Sequence, residues 1–158
     1  MAAVQYREVD LGDVPRLVGL PQKGEAGGDR RMFQYLAGEH HPQQALLPRR
    51  MWLAADGANP IGYVAGHLTR RFGCDGELQW IYVVPEQRRA QVASKLLLLI
   101  AKWFLEHGAR RICVDVGDEK ARPFYKAHGA VELSKHWMVW NDIGEVLGKS
   151  TERERIAK

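Results

Sequence analysis

The sequence predicts a single α/β domain: one mixed sheet, helices on both faces, and a right-handed parallel crossover in the middle. Three observations carry this. Read in order, the apolar patterning gives β-α-α-β-β-β-α-β-α-β. A long apolar-striped helix is bracketed by two β-prone runs, and a strand-helix-strand unit of that kind closes right-handed with parallel neighbours. The size suits one core, at 158 residues of which 46% are hydrophobic and 27% charged.

Each element has a local reason. "VQYREVD" alternates and reads as a first strand. "DVPRLVGL" reads as a short helix, with Asp13 as its cap and Pro15 in its first turn. The Gly-rich "PQKGEAGGD" is loop, and "RRMFQYLAGEHH" is a second helix. "RRMWLAADGANPIGYVAGHLTRR" reads as a β-hairpin turning at Asp56-Gly57 and Asn59-Pro60. After the turn "RFGCDG", the strand "ELQWIYVVP" stops at Pro85. Alternation in that strand places Leu78 and Trp80 on the face opposite Glu77.

The next helix carries Val92, Leu96, Leu99, Ile100, Trp103 and Phe104 on one stripe. Leu97 and Leu98 widen its apolar surface, so it is expected to be covered on most sides. Gly108 ends it. "RRICVDV" is a short apolar strand of the buried kind. "GDEKARPFYKAHGA" is a short helix capped by Asp118, with Ala121, Phe124, Tyr125 and His128 on one face. "VELSKHWMVWND" is a closing strand or hairpin. Residues 1–145 are expected to form one domain, and 146–158 a charged tail, frayed or packed on a partner.

Composition narrows the partners. The formal charge is +4 and the pI about 9.2, which suits an anionic ligand. The arginines are scattered, which argues against a nucleic-acid surface. Cys74 and Cys113 are the two cysteines, and neither a disulfide framework nor a zinc-type spacing is visible. His40 and His41 adjoin each other without metal-ligand spacing, so no metal is expected. The start lacks a basic n-region and an apolar h-region, and the run "LLLLIA" is too short to span a bilayer. The cytoplasm is the expected compartment.

"YVVPEQRRAQVASKLLLL" raises a chemical question, because Arg88 and Arg89 sit at the mouth of a helix. Cations there face the positive end of the macrodipole. Either they are solvated, or an anion lies between them and the helix. A strand feeding a turn and a helix N-terminus leaves amides that can cradle phosphate. Ser94 could add a hydroxyl.

These residues resemble the GNAT superfamily of acyl-CoA-dependent N-acetyltransferases. The family pattern V-x-P-x-x-R-x-x-G-x-G/A is met at Val83, Pro85, Arg88 and Ala93, with Val92 in the apolar place between the glycine positions. Gln91 stands at the first glycine. The second pattern, N-x-x-A-x-x-F/L-Y-x-x-x-G-F, is met at Ala121, Phe124, Tyr125 and Gly129, with Asp118 for the Asn and Ala130 for the Phe. The resemblance is firm from Glu77 to Gly129.

It implies a GNAT fold with a mostly antiparallel central sheet, and transfer of an acetyl group from acetyl-CoA to a primary amine of a small molecule or peptide by direct attack. The pyrophosphate would be held by the turn of Arg88, Arg89, Ala90, Gln91, Val92, Ala93 and Ser94. The pantetheine would lie along Ile81, Tyr82 and Val83, near Asp118, Ala121 and Tyr125. Tyr125 would be the acid for the leaving thiolate, since a reference pKa near 10 nearly balances an alkyl thiol. The pattern alone favours an aromatic packed on the buried face beside Phe124, and the family register reverses that. Glu77 would be the base that draws the amine proton through water; the alternative is a surface glutamate after a Gly turn. His136 is a further option as base.

Two rivals stand beside this reading. One is a non-catalytic acyl-CoA-binding or regulatory module of the same fold, favoured by Gln91. The other is a basic nucleic-acid-binding domain. Gln91 is expected to take a helical backbone with negative φ, since glycine alone tolerates any φ. The loops 22–29 and 40–48 are expected to shape the acceptor pocket. A homodimer through the C-terminal strand and tail is an alternative to a monomer.

Overall fold

The computed structural model describes residues 3–148 apart from 19, 21–27, 40, 41 and 43, with the backbone alone described at 28–30 and 88–90. Strand β1 is Val4–Glu8, and helices α1 and α2 are Val14–Val18 and Gly28–Leu36. Strands β2 (Ala45–Asp56) and β3 (Asn59–Thr69) form the expected hairpin, with β2 starting at Ala45 inside the stretch 40–48 expected to be loop, and β4 is Gly76–Val83. Helix α3 is Val92–Glu106, β5 is Ile112–Asp115 and α4 is Arg122–Ala127. The closing hairpin is β6 (Val131–Glu132) and β7 (Trp137–Trp140).

The seven strands run in the order β1-β2-β3-β4-β5-β7-β6. The pair β4 and β5 is parallel and the other pairs are antiparallel. This is the mixed, mostly antiparallel sheet with a central β-α-β crossover. Helices cover both faces. Helix α3 packs on one face through Val92, Leu96, Ile100, Trp103 and Phe104, with Tyr125 of α4 in the same cluster. Helices α1 and α2 cover the other through Val14, Leu17, Met32 and Tyr35, against Met51, Leu53 and Ala65. The stripe on α3 is as read, except that Leu97 is fully buried and Leu99 only half-buried.

Why α3 fits so closely is visible at one glycine. A Cβ on Gly66 of β3 would lie 2.8 Å from Phe104 Cζ. The Phe104 ring therefore occupies the space a side chain would need.

The first helix begins differently from the expectation. A 3-10 turn, Leu11–Asp13, precedes α1. Asp13 does not cap from outside. Its carboxylate accepts the Asp10 N–H at 2.9 Å and takes Arg7 in two bonds of 2.8 and 2.6 Å. The salt-bridged Asp13 is thereby held below the usual carboxylate range, first by Arg7. The entry therefore starts at Asp10, because the Arg7 pair draws Asp13 inward.

At the C-terminal end, Ile143 and Val146 are buried in the α3-side core. The tail from 149 lies outside the described residues. Among the described residues no helix is long and apolar enough to cross a membrane.

Candidate active site

The site starts where two parallel strands part. The ladder between β4 and β5 covers Gly76–Ile112, Glu77–Cys113 and Leu78–Val114. Beyond Leu78, β4 keeps its ladder with β3 to Val83. The parting coincides with a β-bulge, since Ala65 faces Trp80 while Gly66 faces Leu78, leaving Gln79 over. An extra residue in one strand bends it and increases its twist.

The bulge overturns one expectation. Trp80 lies on the same face as Glu77, not the opposite one. Leu78 packs in the α3-side core, whereas Trp80 packs with the α1 and α2 cluster. One inserted residue resets the alternation, which simple period-two counting misses.

The strand then runs through a 3-10 turn, Pro85–Ala90, into α3. Gln91 joins them with φ 62 and ψ 21, a left-handed conformation. The expected helical backbone at Gln91 is therefore wrong. The residue stands at the first glycine of the pattern and adopts the positive φ that a glycine would supply. A right-handed turn followed by a left-handed residue points successive amides into one concavity. The turn keeps an amide nest despite the side chain, and Gln91 itself is exposed. Side chains of Arg88, Arg89 and Ala90 lie outside the described ones.

Around this turn the other expected residues fall as follows. Ile81, Val83 and Val92 point into the α3-side core, with Ala93 packed against it. Val83 and Val92 are buried, so they can serve a ligand only through their backbone. Tyr82 lies on the other face, its ring 6.0 Å from that of Tyr63. Ser94 Oγ is 2.9 Å from His128 Nε2. Asp118 caps the turn Glu119–Ala121 by accepting the Lys120 N–H at 3.0 Å, so its carboxylate has a local duty. Ala121 packs against the core.

Tyr125 is 5% exposed. Its ring meets Phe124 and Trp140 edge-on at 5.7 and 5.9 Å. Burial, and then the Asp115 carboxylate at the end of β5, push the phenol up to about 12. It therefore stays protonated across the neutral range. The near balance with an alkyl thiol is thereby lost.

Glu77 is no surface glutamate, being 4% exposed. Arg71, from the turn Arg71–Gly73, donates Nε–H to Oε1 at 2.9 Å. The guanidinium also lies over the Trp137 ring, 4.8 Å from its centroid. His67 of β3 is registered opposite Glu77, with Nε2 3.8 Å from Oε1. Tyr35 Oη of α2 lies 2.9 Å from His67 Nδ1. Sequence reading missed Arg71, His67 and Tyr35. Only strand register and the packing of α2 bring them to Glu77, and no spacing encodes that.

His136 is exposed, and no hydrogen bond or ion pair links its side chain to Glu77 among the described residues. His40 and His41 lie outside the described residues, as does most of the loop 22–29. The two cysteines are buried free thiols.

The sequence model of the Acetyltransferase (GNAT) family matches residues 23–130, more than half of the chain. No curated protein matches. Solved structures of the same fold include a putative GNAT acetyltransferase from Desulfovibrio desulfuricans, at 16% identity and TM-score 0.65, covering 89% of this chain and 99% of that one. The PaiA N-acetyltransferase of Thermoplasma acidophilum, solved with coenzyme A, gives 14%, 0.67, 87% and 97% in the same order. An aminoglycoside 6'-N-acetyltransferase of Acinetobacter haemolyticus gives 19%, 0.68, 83% and 93%.

Proposed function

The chain belongs to the GNAT acetyltransferase family, and on that premise we propose that it transfers an acetyl group from acetyl-CoA to a primary amine by direct attack, in the gap where β4 leaves β5. The observation that carries this is the conjunction of the bulged, parting strand with the left-handed turn at Gln91 that opens α3. The first offers a groove for an extended arm. The second offers amides for a pyrophosphate. A neighbour of the same fold was solved with coenzyme A, which supports the choice of co-substrate.

In this reading the pyrophosphate rests on the backbone N–H groups of Ala90, Gln91 and Val92, with Arg88 and Arg89 adding charge. The pantetheine runs along β4 past Leu78, beside Ile81, Tyr82 and Val83. An alkylamine arrives as an ammonium. Glu77 takes its first proton through water, and the freed nitrogen attacks the thioester carbonyl. As the C–S bond breaks, Tyr125 hydrogen-bonds the departing sulfur. The nitrogen's second proton goes to the thiolate, directly or by way of Tyr125. One amide, one thiol and one released proton balance the step.

With its phenol at about 12, Tyr125 lies about two pH units above the value near 10 at which it would balance an alkyl thiol, so full transfer to sulfur is uphill. Its contribution is then the hydrogen bond to developing charge, at the lower end of general acid catalysis, about 10²-fold.

A non-catalytic acyl-CoA-binding module is the second reading, favoured by Gln91 at a glycine position. Thiol release from acetyl-CoA, measured against small primary amines, aminoglycosides, polyamines and peptides, separates the two. The enzymatic reading expects amine-dependent release that Glu77→Gln suppresses. Binding of acetyl-CoA with no release across the panel favours the module.

A further inference from the structure

Behind Glu77 lies a polar pair that the transfer step does not use. His67 is fully buried in β3. Its Nε2 has no hydrogen-bond partner. That nitrogen faces Glu77 Oε1 at 3.8 Å, while Nδ1 is engaged by Tyr35 Oη at 2.9 Å. A carboxylate oxygen only accepts, so a nitrogen facing it is best satisfied as N–H. The Tyr35 hydroxyl then donates to Nδ1.

We propose that His67 is a positioning residue for Glu77: it presents Nε2–H to Oε1, orients the carboxylate, and is fixed in that tautomer by Tyr35. This rests on the reading of Glu77 as the base. At 3.8 Å the nitrogen is outside hydrogen-bond reach while Arg71 holds the same oxygen at 2.9 Å. An arriving ammonium competes with the Arg71 guanidinium for the carboxylate. As Arg71 yields, the His67 contact closes, and Glu77 never loses both donors together. Arg71 is the more exposed partner, its side chain 16% exposed against 0% for His67.

Other titratable groups face Glu77. Cys74 precedes β4 and Cys113 stands on β5, and burial pushes both thiols up. Tyr35 of α2 is raised by burial too. All three are neutral near pH 7, and among the described residues Arg71 and His67 are the cationic or donor side chains placed at Glu77 Oε1.

The test uses the full chain without acceptor. Nitrogen-15 spectra of the imidazoles, with His67 assigned by His67→Asn, report the tautomer in the unaltered protein. Nε2–H is expected, and an imidazolium carries it as well; a neutral Nδ1–H ring overturns the proposal. Carbon-13 titration of the Glu77 carboxyl, assigned by Glu77→Gln, gives the second readout. In an Arg71→Gln background, which frees Oε1 to close on Nε2, His67→Asn, which removes the donor at the Nε2 position, should raise the Glu77 midpoint by about half a pH unit or more. His67→Gln in the same background, which keeps that donor, should stay within about two tenths. An unmoved midpoint in the folded protein carrying His67→Asn in that background overturns the proposal. These readouts do not depend on turnover: a fully active Glu77→Gln would remove the base reading and leave the tautomer result standing.

Discussion

Ser94 and His128 tie the first turn of α3 to the end of α4, with Oγ 2.9 Å from Nε2. The other ring nitrogen, Nδ1, lies 2.7 Å from the Phe124 carbonyl, which can only accept. In the neutral ring Nδ1 is therefore the donor and Nε2 the acceptor. The Ser94 proton points at His128 and not toward the nest. The helix that opens at the Gln91 turn and the helix that carries Tyr125 are thus joined through this hydroxyl.

Ser94→Ala should accordingly leave CoA affinity within about threefold while lowering stability by about 1 kcal/mol, the worth of one partly buried hydrogen bond. Calorimetric titration and thermal unfolding read the two effects separately. A tenfold loss of affinity with unchanged Tm would show that the hydroxyl serves phosphate instead.

Gln91→Gly should stabilise the protein. A left-handed non-glycine residue costs roughly 1–2 kcal/mol, offset in part by the extra freedom glycine has when unfolded. A gain of about 1 kcal/mol in chemical denaturation is expected, with CoA affinity within threefold. Destabilisation would contradict the left-handed backbone. Affinity improved tenfold would mean that the Gln91 side chain obstructs the cradle, and would move the non-catalytic reading ahead.

Replacing Arg88 and Arg89 together by Ala removes charge from the turn. If each makes a charge-assisted bond of about 1.5–3 kcal/mol to pyrophosphate, CoA affinity should fall at least tenfold, with Tm of the free protein little changed. Equal CoA binding by both proteins in calorimetry would return the pair to solvent.

Tyr125→Phe should lower kcat about 10²-fold and leave acetyl-CoA binding intact. It should also change alkaline stability. The folded phenol, at about 12, lies above its unfolded value near 10, so its stabilising share is complete below pH 10 and is lost as pH rises toward 12. Urea unfolding between those limits should show a shallower loss in the Phe variant. A shallower slope with unchanged kcat would make Tyr125 a packing residue only.

The order of elements was legible because each segment carries its own period and its own turn residues. The helix of Val92 to Glu106 and the hairpin at Gly57 are examples. Tyr125 and Glu77 were legible as candidates through short patterns and strand position. The bulge at Gln79 was not, because nothing local distinguishes a residue inserted into a ladder from one paired in it. The backbone at Gln91 was misjudged for a related reason: the chain's path from strand to helix set its φ, against the preference of its side chain. Arg71, His67 and Tyr35 come from three segments that meet only when β3, β4 and α2 pack. No single stretch of sequence holds that information.

The central claim is that acetyl-CoA is held where β4 leaves β5. A crystal structure of the protein with CoA tests it most directly. The expected result is pyrophosphate against the amides of Ala90 to Val92, pantetheine along β4 beyond Leu78, and the thiol directed toward Tyr125. CoA bound elsewhere on the surface, or no CoA at millimolar concentration, would contradict it.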